Sequence, residues 1–191
     1  MFEKIRQNIQ KYVHLTDIEF KHFTDQLIVK TLKKQQTIVR EGDVCRYVAY
    51  INYGLFRCYS MTDDGEEQVE HFGITGEWIS EYPSFPNQIP ARQTIEAIQE
   101  CEILLLSFDK LQILFENPKI ERLVRLLYED ISAENRILIN TIRHASPEER
   151  YKIFMNVRPD LMEHIPQHYI ANYFGITPVS LSRIRRRLIS L

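Results

Sequence analysis

The sequence feature that most constrains the fold is residues 167–186, which have the residue spacing of a helix-turn-helix. The small Ala171 lies where two crossing helices would approach most closely, and Gly175 lies at the turn, where a positive φ costs glycine no steric strain. Thr177 can cap the second helix, and Pro178 suits its first position. The apolar positions of the motif are Ile170, Phe174, Ile176, Leu181 and Ile184. This stretch therefore predicts two short helices joined by a tight turn.

The second helix of this motif would carry a basic outer face. We expect Leu181, Ile184 and Leu188 to face inward. The side chains left on the outer face are Val179, Ser180, Ser182, Arg183, Arg186 and Arg187. Arginine at the front of a helix can pair with guanine O6 and N7 in the major groove. The pattern predicts a helix that binds double-stranded DNA; the alternative is an amphipathic C-terminal helix whose basic face is only solvated.

The charge distribution favours the first of these interpretations. The net charge of the whole chain is −2, but residues 144–191 hold seven Lys or Arg against four Asp or Glu. The remaining residues hold 17 Lys or Arg against 22 Asp or Glu. An acidic body with a basic tail indicates that a polyanion would bind at the tail.

The cysteine pattern and the lengths of the apolar runs indicate the cellular compartment of the protein. Cys45, Cys58 and Cys101 are odd in number and contain no CxxC pair, which argues against a disulfide framework or a structural zinc site. We expect all three to be small buried residues in a reducing compartment. The sequence has no apolar run of membrane-spanning length and no signal-peptide core, so it predicts a cytoplasmic protein without a membrane partner.

The first part of the chain changes from helical to β-like patterning. Residues 3–28 have helical character in pieces, with a capping box at Thr16 and Glu19. Short β-like runs then alternate with turns, including an Asp64-Gly65 hairpin signal, and three prolines make residues 82–91 a loop. The predicted strands are 37–39, 47–53, 55–61, 68–72, 78–79, 94–98 and 102–108. This punctuation predicts a β sandwich or jelly-roll barrel.

A long amphipathic helix follows the barrel. From Asn117-Pro118 to Arg143 an apolar stripe extends over about 25 residues, or roughly 37 Å. The stripe consists of Ile120, Val124, Leu127, Ile131 and Leu138. It predicts a homodimer formed through residues 117–143; the alternative is that the stripe packs only on its own barrel. Ser146 then offers a capping box with Glu149, which marks a domain boundary near residue 145.

Together these patterns predict an α+β chain of three parts. Residues 1–116 form an N-terminal jelly-roll sensor domain, residues 117–144 a dimerisation helix and linker, and residues 145–191 an all-α helix-turn-helix domain. The organisation resembles the Crp/Fnr family of bacterial transcription regulators over essentially the whole chain. Its most specific segments are residues 40–43, 53–57, 64–66, 76–78 and 175–183, the last of which is most similar to members from the Bacteroidetes.

The resemblance implies a role for each part. The barrel would be a cyclic-nucleotide-binding-type sensor for a small-molecule effector, the long helix the dimer axis, and the tail a two-fold pair bound to operator DNA, with RNA polymerase as a further partner. Val179, Ser180 and Arg183 would contact base edges, with Pro178 in apolar contact beside them. The helix end at Gln167 would hold phosphate together with Arg186 and Arg187. The candidate DNA-binding residues are Gln167, Thr177, Pro178, Val179, Ser180, Ser182, Arg183, Arg186 and Arg187.

The chain departs from the family pattern at the effector pocket. Members that bind cyclic nucleotides hold the phosphate with an Arg-Ser or Arg-Thr pair and the ribose with a Glu, which Glu81 matches. Here the pair is Ala91-Arg92, with the arginine one place late. A buried phosphate without a bidentate arginine loses its best partner. The candidate effector-pocket residues are Gly76, Glu81, Ala91 and Arg92, and we expect an effector other than cyclic AMP, or none, and no cofactor.

The chain also departs from the family pattern at its two ends, and two functions other than DNA binding are considered. The chain ends at Leu191 without the β-wing of many relatives, and it lacks the N-terminal cysteine cluster of the iron–sulfur branch. A cupin-like metal enzyme would need several histidines, but the barrel region holds only His71, and His164 and His168 lie outside it with Pro166 between them. The sequence predicts no enzyme activity and no metal site. The remaining alternative is a sensor that acts through protein partners.

Overall fold

The computed structural model describes residues 2–142, 145–162 and 164–189, and its barrel consists of two antiparallel four-stranded sheets. The first sheet has the strand order β1-β8-β3-β6 and the second the order β2-β7-β4-β5. The strands are β1 (Ile28–Leu32), β2 (Thr37–Val39), β3 (Tyr47–Tyr53), β4 (Leu55–Met61), β5 (Glu67–Ile74), β6 (Trp78–Ile79), β7 (Thr94–Ala97) and β8 (Cys101–Ser107). The predicted α+β class with a β barrel is confirmed.

Helices precede, interrupt and follow the barrel. They are α1 (Glu3–Gln10), α2 (Asp17–Thr24), α3 (Ser84–Asn87), α4 (Phe108–Leu114), α5 (Pro118–Ile142), α6 (Pro147–Val157), α7 (Pro159–Met162), α8 (Gln167–Tyr173) and α9 (Pro178–Ile189). Both predicted capping boxes are present: Thr16 Oγ1 accepts from the Glu19 amide, and Ser146 Oγ accepts from the Glu149 amide. None of the described helices is long and apolar enough to span a membrane.

Tight turns join the strands of the barrel. Gly54, between β3 and β4, has φ +120°, and a Cβ atom there would lie 2.3 Å from the Sγ atom of Cys101. A side chain at this position would therefore both strain the backbone and displace β8. Gly65, at the predicted hairpin between β4 and β5, also has a positive φ, of 79°. Cys45, Cys58 and Cys101 are buried and carry no disulfide bond, so they act as small residues of the core, as expected.

Two elements were not predicted from the sequence. Helical pieces were expected over residues 3–28 and β-like runs only from Lys33, but residues 28–32 form β1, which pairs with β8 from Ile28 to Leu32. This edge strand depends on a partner more than 70 residues away in sequence, and its outer positions are exposed, so no local alternation marks it. The expected loop 82–91 contains the short helix α3, because the Glu81 carboxylate accepts a hydrogen bond from the Ser84 amide at 2.9 Å.

The first part of the long helix α5 packs on the barrel. Ile120 and Leu123 are buried in the barrel core, and Val124 and Leu127 pack partly against it. One turn further on, Ile131 is 39% exposed. The predicted Leu138 and Arg143 lie outside the side chains that the structure describes. The apolar stripe thus packs on its own barrel as far as Leu127, and Ile131 beyond it is partly open to solvent. The three predicted domain bounds stay a prediction.

Candidate functional site

The helix-turn-helix forms where the sequence predicts it. Helix α8 ends before Gly175, which has φ +65°, and α9 begins at Pro178. The Thr177 hydroxyl accepts a hydrogen bond from the Ser180 amide at 3.2 Å and so caps α9. Leu181 is fully buried. The other buried residues of the motif are Ile170, Ala171, Phe174 and Ile184, while Leu188 packs against them at the edge. The predicted inner face of both helices is confirmed.

The opposite face of α9 is open to solvent. Val179 is 61% exposed, and Ser180 is half-buried beside it. The other exposed residues of the candidate DNA-binding set are Gln167, Thr177, Pro178, Ser182, Arg183, Arg186 and Arg187. Arg187 lies 3.2 Å from the Glu148 carboxylate of α6, yet 66% of its side chain remains accessible. The structure therefore places hydroxyl, apolar and guanidinium groups side by side on one surface.

Helix α8 also contacts the barrel, a feature that sequence reasoning missed. The Asn172 side chain lies against β5, the edge strand of the second sheet. Its Oδ1 atom accepts from the Val69 amide at 2.6 Å, and its Nδ2 atom donates to the Glu67 carbonyl at 2.6 Å. The amide thus pairs with β5 as another strand would, and it satisfies an exposed sheet edge. Arg158 and Glu77 add an ion pair of 2.7 Å between the helical region and the barrel.

A buried arginine lies beside this contact. Arg57 of β4 is only 5% exposed, and its Nε atom donates to Glu96 at 3.0 Å. Its two terminal nitrogens donate to the Glu67 carboxylate at 2.5 and 3.2 Å. The guanidinium carbon lies 4.1 Å from the ring centroid of Tyr59 and 4.5 Å from that of Tyr169 in α8. The only sequence signal for this centre was a charged residue within the apolar run of β4.

Of the predicted effector-pocket residues, Glu81 and Arg92 are hydrogen-bonded to each other, whereas the Gly76 amide donates to Ile51 and the Ala91 amide donates to Asp43. Glu81 is 2% exposed, and its two oxygens accept from the backbone amides of Ser84 and Arg92 at 2.9 and 3.0 Å. Arg92 is exposed and Ala91 is buried. The Glu81 carboxylate therefore organises the loop between β6 and β7. The assignment of an effector to Gly76, Glu81, Ala91 and Arg92 stays a prediction.

A cavity of about 590 Å³ lies between the barrel and α5. Its described wall includes His71 and Cys58 but neither Glu81 nor Arg92. Burial, reinforced by the positive charge of Arg158, lowers the pKa of His71 to about 4. Burial raises the pKa of Cys58 to about 12, with a smaller contribution from nearby carboxylates. Among the residues that the structure describes, no group of three or more His, Cys, Asp or Glu could hold a metal ion.

The sequence is similar to a known domain family and to known transcription regulators. Residues 29–117 match the model of the cyclic nucleotide-binding domain. The transcriptional activator protein FnrA of Stutzerimonas stutzeri is 25% identical over 170 residues, which cover 83% of this chain and 69% of that protein. The fumarate and nitrate reduction regulatory protein of Vibrio cholerae is 26% identical over 184 residues, which cover 85% of this chain and 70% of that protein.

Solved structures share the fold. FixK2 from Bradyrhizobium japonicum is 18% identical with a TM-score of 0.70, and the match covers 86% of this chain and 85% of that one. The c-di-GMP-responsive global regulator CLP of Xanthomonas campestris is 17% identical with a TM-score of 0.67, and the match covers 92% of both chains. The chain thus contains a match to the cyclic nucleotide-binding domain and, over most of its length, is similar to transcription regulators of the Crp/Fnr kind.

Proposed function

We propose that this regulator acts as a homodimer that binds double-stranded DNA through α9. The observation that carries the proposal is the division of α9 into two faces: Leu181 and Ile184 are buried, whereas Arg183 and Val179 are exposed beside them. A recognition helix needs this division, because one face must hold it on its domain while the other enters the major groove. The described part of α9 carries four arginines and no acidic residue, which suits a surface that approaches phosphates.

Within this surface we assign roles by position. Val179, Ser180 and Arg183, in the first two turns of α9, would contact base edges, with Thr177, Pro178 and Ser182 close to the DNA around them. Arg186 and Arg187, in the last turn, would contact phosphates, and Gln167 would do so from the start of α8. Arg187 must then exchange its ion pair with Glu148 for a phosphate, which its 66% exposure allows.

We further propose that α5 forms the dimer axis and that the barrel senses a small molecule. The support for the dimer is the apolar stripe of α5, which continues to Ile131; this side chain lies at the border of the cavity beside the barrel and is 39% exposed. A second α5 lying alongside would bury this residue. Two copies related by a two-fold axis would present two α9 helices to successive major grooves, about 10 base pairs apart. In this proposal the protein works in the bacterial cytoplasm, contacts RNA polymerase on DNA and catalyses no reaction.

Fluorescence anisotropy with labelled duplex DNA at two salt concentrations tests the proposal. A pool of random duplexes should bind with a strong salt dependence, and a selected site should bind more tightly. Arg183→Ala should cost about 1–3 kcal/mol on the selected site and little on the random pool. Arg187→Ala should weaken binding to both and reduce the salt slope by about one. The matched control is Arg40→Ala, which removes an exposed arginine from the barrel.

The same titration separates the proposal from its alternative. If the wild-type chain shows no salt-sensitive DNA binding, the helix-turn-helix serves only for packing, and a sensor that acts through protein partners becomes the better interpretation. If Arg183→Ala loses equal free energy on selected and random duplexes, its assignment to a base edge is wrong. Changes in Arg40→Ala as large as those in Arg183→Ala would show that the effect comes from net charge alone.

A further inference from the structure

The cavity beside α5 has the size and the walls of a ligand site. Its volume of about 590 Å³ lies within the range of small-molecule pockets. The barrel supplies one wall, and α5 supplies the other through Leu123, Val124, Leu127, Tyr128, Ile131 and Ser132. Aromatic side chains line it from several elements: Phe23, Trp78, Tyr82, Phe85, Tyr128 and Tyr173. A compartment with this lining favours an apolar, flat or chain-like molecule over a hydrated one.

The polar groups of the cavity do not suit an ion. No Lys or Arg is present among the described residues of its wall, and Glu70 is the sole carboxylate of that described wall. Glu70 is exposed, and its two oxygens accept from Ser60 and Gln93 at 2.6 Å each. Among the described residues of the wall, an anionic ligand would therefore meet one carboxylate and no Lys or Arg side chain, whereas a cation would find this carboxylate already hydrogen-bonded. Transfer of an unpaired charge into such a site is strongly unfavourable.

Burial favours the uncharged forms of three further titratable groups in the described wall. Burial lowers the pKa of His71 and raises the pKa values of Cys58 and Tyr128 to about 12. The neutral imidazole and the phenol can each exchange hydrogen bonds with an uncharged polar group. Glu81, the residue expected to bind a ribose, lies outside the described wall and is bonded to two backbone amides. These features disfavour a cyclic nucleotide in this cavity.

We propose that this cavity binds an uncharged, predominantly apolar small molecule with one or two hydrogen-bonding groups. The proposal rests on the sensor role proposed above and specifies its ligand class. The ligand would contact α8 directly, because Tyr173 lines the cavity and its ring also packs on Phe72 and Phe154 at centroid distances of 5.6 and 5.2 Å. A bound ligand would therefore contact α8, the helix that positions α9. No other residue would be needed to connect the ligand with the helix-turn-helix domain.

Titration of the full chain with N-phenyl-1-naphthylamine, an uncharged apolar fluorophore, tests this site. The wild-type chain should show saturable fluorescence enhancement with one site per protomer. Val124→Trp places an indole in the cavity from α5 and should weaken binding at least about tenfold by occupying the volume. Arg122→Trp places the same indole on the exposed side of α5 and should leave the affinity within about twofold. Cyclic AMP at millimolar concentration should not displace the fluorophore.

Several outcomes would overturn the proposal. These are the absence of saturable binding to the wild-type chain, equal affinity of Val124→Trp and Arg122→Trp, and displacement by cyclic AMP. If Val124→Trp does not fold, as judged by circular dichroism, Leu127→Phe repeats the test with a smaller side chain. DNA binding measured on the same samples separates the two proposals: a chain that binds DNA but not the fluorophore refutes the ligand site alone. A chain that binds the fluorophore but no DNA refutes the proposed function alone.

Discussion

Replacement of Arg57 by methionine would remove the buried guanidinium while keeping most of its volume. The change leaves the Glu96 carboxylate, whose side chain is 11% exposed, without its cation. Loss of one partner from a buried pair costs about 3–5 kcal/mol, because the remaining charge stays desolvated. The second carboxylate, Glu67, is 43% exposed and should add no more than about 1 kcal/mol. We therefore expect a loss of about 3–5 kcal/mol in the free energy of unfolding.

Urea denaturation followed by circular dichroism measures this loss, and thermal unfolding should show a Tm lower by roughly 6–20 °C for a chain of this size. The matched control is Arg125→Met, which breaks an i,i+4 pair with Glu129 in which both side chains are more than half exposed. This control should change stability by less than about 0.5 kcal/mol. The double variant Arg57→Met/Glu96→Gln should recover much of the loss, because no unpaired buried charge remains.

Equal stabilities of Arg57→Met and Arg125→Met would contradict the stabilising role assigned to the buried Arg57–Glu96 ion pair. This role would also be refuted if Glu96→Gln added to the loss of Arg57→Met instead of reducing it. Burial alone lowers the pKa of the Arg57 guanidinium, but its hydrogen bonds to Glu67 and Glu96 outweigh burial and raise that pKa. The guanidinium is therefore charged in the folded chain, so that the expected loss is that of an ion pair.

Two further predictions concern α8 and β5. Asn172→Ala removes two hydrogen bonds to β5 and should lower the free energy of unfolding by roughly 1–3 kcal/mol in urea denaturation. The control Asn156→Ala, at an exposed position of α6, should change this free energy little. Equal losses in the two variants would contradict the pairing described for Asn172. Because burial lowers the pKa of His71 from 6.5 to about 4, the unfolded chain binds more protons between these pH values, so stability should fall as pH falls through this window. His71→Gln should flatten this part of the stability–pH curve, and an unchanged slope would contradict the burial of His71.

The elements that the sequence predicted correctly are those whose causes are local. The two capping boxes, the turn at Gly175 and the inward face of α9 each depend on residues within one or two helical turns. Spacing alone specifies such contacts. The barrel strands were predicted for the same reason, because turn residues separate runs of similar length. Strand β1 was missed, since its partner β8 is distant in sequence and its own side chains are mostly exposed.

The contacts that define the candidate site beyond α9 could not be predicted from spacing. Asn172 and Val69 are separated by 103 positions in the chain, and the rings around Arg57 come from β4 and from α8. The cavity likewise exists only where the barrel meets α5 and α8. Motif matching did identify the position of Glu81, but it could not show that backbone amides already occupy both of its oxygens. The similarity to members from the Bacteroidetes stays a prediction.

Selection of binding sites from a random duplex library by the full-length chain tests the central claim most directly. If paired α9 helices read DNA, the enriched sites should be two-fold symmetric, with half-site centres about 10 base pairs apart, and Arg183→Ala should relax the preference at one position of each half-site. Enrichment of single, unpaired half-sites would contradict the dimer formed through α5. No enrichment over the starting library, at a salt concentration where the chain is folded, would contradict the assignment of α9 to sequence-specific DNA binding.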